Sequence, residues 1–141
     1  MINVNDFIEK LKENEDQISA ISLELGMRID DDVSFFNYLK GVDPNFLQNI
    51  NIILIILGAL QISNTEEIYD TYELEDIERI FDILLDNNKS DLRLWEEAIY
   101  FNHNVMSNDS KTHLFLDLFE NELKKSLELI NEIRSDLKGD N

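Results

Sequence analysis

Apolar residues recur through most of the chain at intervals of three, four and seven, the repeat that gathers them on one face of an α-helix. From Asp6 to Leu25 the spacing is kept by Phe7, Leu11, Ile18, Ile21 and Leu25; Gly26 follows as a stop, and Asn14-Glu15-Asp16 marks a place where the helix can break. A short second helix, capped by Asp31 or Asp32, carries Val33, Phe36, Tyr38 and Leu39 and ends at Gly41. Asp43-Pro44 then starts a third, because a cap carboxylate accepts orphan backbone N–H bonds and proline at the first helical position loses none. Its body, from Phe46-Leu47 to Ile62, is dense in isoleucine, which also suits a buried strand. No other segment alternates apolar with polar residues to pair with such a strand, so the pattern predicts a central helix, apolar nearly all round and surrounded by the others. Gly58 inside it costs about 1 kcal/mol relative to alanine, which predicts a neighbouring helix crossing closely there.

Ser63-Asn64-Thr65-Glu66 has the form of a capping box, and the fourth helix then places Tyr69, Tyr72, Ile77, Ile80, Phe81, Leu84 and Leu85 on one broad face before Asn87-Asn88 ends it. Ser90 or Asp91 caps a fifth helix with Leu94, Trp95, Ala98, Phe101 and Val105, closed by the polar turn Ser107-Asn108-Asp109-Ser110. The last helix runs from about Lys111 to Leu137. Leu116, Phe119, Leu123, Leu127, Ile130, Ile133 and Leu137 follow a near-heptad spacing there, which predicts packing along another helix over much of its length. The predicted fold class is all-α: one domain over residues 1–141, a bundle of about five to seven helices around a central apolar helix.

Residues from about Leu74 to Leu123 form the series helix, short Asn/Ser/Asp turn, helix with an internal small residue, turn, helix. With Leu94, Ala98, Phe101, Ser110 and Leu114 in their places, this third of the chain resembles the tetratricopeptide kind of helical-hairpin repeat. The resemblance implies repeat-like hairpin packing and a role in binding peptides or other proteins. Asp117 and Glu122 depart from the pattern, no proline closes the unit, and no second copy follows at a period of roughly 34 residues.

A length of 141 residues suits one domain, and 43% hydrophobic residues with eight phenylalanines suffice for a packed core. The absence of cysteine excludes disulfides, thiol nucleophiles and cysteine-ligated metal centres. Ile52 to Leu60, the most apolar stretch, falls well short of the roughly 18–20 residues that span a bilayer. Met1-Ile2-Asn3-Val4-Asn5-Asp6 has no basic segment leading into an apolar run, so a secretory signal is not expected and a cytoplasmic setting is.

Candidate chemistry is sparse. His103 and His113 stand in no frame that gathers metal ligands on one helical face. Asp109, four residues before His113, could form a carboxylate–imidazole pair, although a cap with an exposed imidazole accounts for both. Asp30-Asp31-Asp32 lacks the central glycine and closing glutamate of a calcium loop and reads as helix capping. Glycine-rich phosphate loops, nucleophile elbows and kinase motifs are missing. We therefore assign no catalytic, cofactor-binding or metal-binding residue and expect a protein that is not an enzyme.

Charge carries more information: 30 acidic residues oppose 12 basic ones, a formal net charge of −18. The densest block lies between Gln61 and Lys89, where nine carboxylates face only Arg79 and Lys89. Within it Glu75, Glu78, Asp82 and Asp86 step by three and four along the face opposite the apolar one. Such a stripe either solvates a helix or steers the protein onto a basic partner. Direct nucleic-acid binding is disfavoured without clustered Lys/Arg, and Lys124-Lys125 sits among glutamates. The expected function is a non-catalytic, acidic protein–protein interaction module that covers a basic protein, as an inhibitor or immunity-type protein does. The alternatives are a structural homo-oligomer built on the long C-terminal helix and a nucleic-acid mimic that occupies a DNA-binding protein.

Overall fold

In a computed structural model, side-chain caps set most of the helix boundaries. It describes residues 3–62 and 73–139, which are 87% helical, with six α-helices and no strand among the described residues. The fold is all-α. Contacts divide the chain into two compact units, residues 1–72 and 73–141, taken here in turn.

The first unit opens with α1 (Val4–Met27), whose cap Asn3 accepts the Asn5 N–H at 3.0 Å. The helix continues through Asn14-Glu15-Asp16, where a break was possible, because Asn and Asp each disfavour a helix interior by no more than about 0.7 kcal/mol relative to alanine. Nor does Gly26 stop it. Gly26 lies inside the last turn without a left-handed backbone, and the chain leaves the helix at Arg28, which pairs with Glu24 and lies 4.7 Å from the Tyr38 ring centre. Asp31 caps α2 (Asp32–Lys40) by accepting the Ser34 N–H at 3.1 Å, and Gly41 closes it.

The third expected helix is two elements. Asp43 and Pro44 start a 3₁₀ segment (Pro44–Gln48), Asn49 is extended, and α3 (Ile50–Ile62) begins afresh. The Asn49 side chain supplies the reason: its oxygen accepts the Asn51 N–H at 3.0 Å, so the residue caps a new helix and cannot continue the old one. Among the described residues no atom beyond the helix's own backbone and Gly58's chain neighbours lies within 4 Å of where a Cβ on Gly58 would stand, so none of them makes the expected close crossing.

Leu25, Phe35, Ile52 and Ala59 form the buried centre of this unit, with Ile18, Ile21, Phe36, Leu39, Ile55 and Ile56 packed round them. Within its unit α3 packs against α1 and the 3₁₀ segment, and Leu54 and Leu57 are buried as well. Two expectations fail here. Phe35 is the buried residue of α2 while Val33 is exposed, and Phe7 and Leu11 stay exposed with the rest of the first half of α1. At 1.5 Å per residue, 24 residues of α1 extend about 36 Å, whereas the 13 of α3 cover about 20 Å.

The second unit begins with α4 (Leu74–Asn87), where the Asp76 carboxylate accepts the Glu73 N–H at 2.9 Å. The capping box expected at Ser63–Glu66, with Tyr69 and Tyr72, lies outside the described residues. Ile77, Phe81 and Leu85 are buried, Leu84 is half-buried and Ile80 is exposed. Asn88 ends the helix, donating its amide to the Leu84 carbonyl at 2.8 Å. Asp91 caps α5 (Leu92–Tyr100) by accepting the Leu94 N–H at 2.9 Å. A π-helical turn (Phe101–Val105) follows, and Asn102, fully buried, donates to the Ala98 carbonyl at 2.9 Å. Asn108 caps the last helix, α6 (Asp109–Gly139), by accepting the Lys111 N–H at 3.0 Å.

Aromatic rings fasten these three helices. Phe81 lies 5.2 Å from Phe101, and Trp95 meets Phe115 edge-on at 5.8 Å and stacks on Phe119 at 5.7 Å. Of the residues that carry the helical-hairpin resemblance, Leu94, Ala98 and Phe101 are buried, while Ser110 and Leu114 are exposed. The packing expected along much of the last helix is absent from this unit: Thr112 and Phe115 are the only buried residues of α6. Its 31 residues extend about 46 Å, against about 21 Å for the 14 of α4.

Candidate interaction surface

The four carboxylates of the acidic stripe do not stand alike. Lys111, reaching across from α6, holds its ammonium 3.0 Å from Asp82 and 3.4 Å from Glu78, and all three side chains are partly withdrawn from solvent. The same ammonium lies 5.2 Å from the Phe115 ring centre. Glu78 and Asp82 are thereby engaged in fastening α6 to α4, and Glu75 and Asp86 remain exposed. Beside them a cleft of about 340 Å³ is lined by Asp82, Asp86 and Glu122 together with Trp95, Lys89 and Lys111, so its carboxylates already have two cations among them. No local sequence signal points to Lys111, because its partner Asp82 lies 29 positions earlier.

The imidazoles lie on another surface. Asp109 faces His103, not His113, with 3.9 Å between Oδ1 and Nδ1 and both side chains well exposed, and the cap expected of Asp109 is supplied by Asn108. Among the described residues no group of three or more His, Asp or Glu could hold a metal ion. Asp31 is spent on capping α2.

Those imidazoles border a groove of about 610 Å³ between α5 and α6. Leu92, Glu96, Ile99 and Tyr100 form the α5 wall; Thr112, His113, Leu116 and Phe119 form the α6 wall. Spacings of four, three and one place the α5 residues on one face of that helix, and steps of one, three and three do the same on α6. Past Phe119 the α6 face continues bare. Leu123, Leu127, Ile130, Ile133 and Leu137 are all 45–64% exposed, a level single surface leucines reach but a continuous row of five rarely does.

The charge around this face is unlike the rest of the chain. α6 holds five of the 12 basic residues and only seven of the 30 acidic ones. Lys124 pairs with Glu120 at 3.2 Å and Lys125 with Glu122 at 3.3 Å, so these two lysines are balanced along the helix itself. Among the described residues no helix is long and apolar enough to cross a membrane. Comparison of the chain with family models, characterised proteins and solved structures returns no match.

Proposed function

We propose that the protein acts by binding protein, not by catalysis, and that it does so as a cytoplasmic self-assembling helical module whose partner is a second copy of the chain. The exposed apolar face of α6 carries this reading. Burying such a row would remove about 25 cal/mol of unfavourable hydration for each Å² covered, and a like helix supplies the same row in return. A chain of net charge −18 resists its own approach over much of its surface, but α6, with seven acids against five bases over 31 residues, resists it only weakly.

The other reading, an acidic surface that covers a basic protein as an inhibitor, immunity-type protein or nucleic-acid mimic would, has narrower support. Lys111 already occupies Glu78 and Asp82, which leaves Glu75 and Asp86 to meet a partner. The two readings separate on mass. Sedimentation of the full chain at tens of micromolar should give a dimer or larger species; a monomer across that range would remove self-assembly and return the acidic surface to first place.

A further inference from the structure

We infer that two copies pair antiparallel along α6, so that the bare second half of each helix lies in the α5–α6 groove of the other. This rests on the self-assembly reading and specifies its geometry.

The first argument is steric. α5 flanks only the first turns of α6, where Leu116 and Phe119 line the groove, and beyond Phe119 the α6 face stands bare within its unit. A groove of this form accepts a helix with nothing beside it. In a parallel pair the segment facing each groove is the partner's own Leu116–Phe119, already hemmed by its own α5. In an antiparallel pair the unflanked half of α6 arrives there instead.

Charge points the same way. From Asp109 to Glu122, Asp109, Asp117, Glu120 and Glu122 outnumber Lys111; from Leu123 to Gly139, Lys124, Lys125, Arg134 and Lys138 outnumber Glu128, Glu132 and Asp136. Antiparallel pairing therefore sets the acidic half of each helix against the slightly basic half of the other, whereas parallel pairing sets acid against acid.

The heptad spacing then selects a register. Leu116, Leu123, Ile130 and Leu137 recur every seven residues, with Phe119, Ser126 and Ile133 three positions after the first three. Setting Leu116 against Ile133 of the second copy also brings Phe119 to its Ile130, Leu123 to its Ser126 and Thr112 to its Leu137, which uses every member of the bare row except Leu127. Ser126 fits the middle because its hydroxyl already donates to the Glu122 carbonyl at 3.2 Å, so burial there strands no polar group.

The cysteine-free chain allows a direct test. Full-length Leu116→Cys and Ile133→Cys variants, carrying different tags, are treated with a short bismaleimide separately and after co-expression. Both positions are half-exposed, so neither substitution disturbs the folded unit. The expected result is a dominant heterodimer from the co-expressed pair and little product from either alone, because in this register two Leu116 positions lie about 25 Å apart along the axis. Efficient cross-linking of Leu116→Cys to itself would establish a parallel pair and overturn the inference while sparing self-assembly. A dimer by mass that gives no heterotypic product would overturn the register and the inference with it. A monomeric mass would overturn both the inference and the reading beneath it.

Discussion

The ammonium of Lys111 sits 3.0 Å from the carboxylate of Asp82, joining the first turn of α6 to the middle of α4. With Glu78 on its other side, this lysine is partly buried between two anions, so removing it leaves them facing each other with no cation between. Lys111→Ala should destabilise the second unit by about 1–2 kcal/mol, between the value of an exposed ion pair and that of a buried one. Urea unfolding followed at Trp95 checks it; an unchanged midpoint would show the bridge to be ornamental.

The same bridge divides the acidic stripe. Glu75→Lys with Asp86→Lys should change stability by no more than about 0.5 kcal/mol, as surface substitutions do. Glu78→Lys with Asp82→Lys should cost over 1 kcal/mol, since it places three cations together beside Phe115. Equal melting temperatures for the two double variants would mean that Lys111 contributes nothing.

Gly58 offers a gain. Its backbone is helical and a Cβ would meet open space, so Gly58→Ala should stabilise the protein by about 0.5–1 kcal/mol through lost freedom in the unfolded chain. A fall in melting temperature would reveal a neighbour pressed against α3 at that turn.

Two residues of α6 should behave oppositely. Phe115, nearly buried against Trp95, should cost about 3 kcal/mol or more as Phe115→Ala. Ile130, 45% exposed, should cost the folded monomer almost nothing as Ile130→Asp but abolish the dimer by mass. A variant that stays dimeric would exclude this face as the interface.

The helix count and three of the caps were legible in the sequence because Asp31, Asp43 and Asp91 act locally, each accepting an N–H two or three residues on. Asn49 was missed for a related reason: in the run Gln48-Asn49-Ile50-Asn51 it is one of three polar residues within a long apolar stretch, and nothing nearby shows that its side chain in particular will cap. Periodicity identified the apolar face of α6 but could not say what covers it, since coverage depends on the lengths of α4 and α5 and not on the face itself. Phe35 and Phe36 illustrate a finer limit, since adjacent phenylalanines fit a helical pattern equally well and only packing decides which is buried. Of the candidate site, the carboxylates were visible and the cation that engages them was not.

Trp95 is the chain's one tryptophan, and its ring lies nearly parallel to Phe119 at the groove. Any helix entering that groove must press on the Phe119 ring, and the indole behind it, donating to the Lys89 carbonyl at 2.7 Å, has no room to turn aside. Intrinsic fluorescence therefore serves as a built-in gauge of groove occupancy: its emission should shift with dilution as copies separate, with no label attached to the chain.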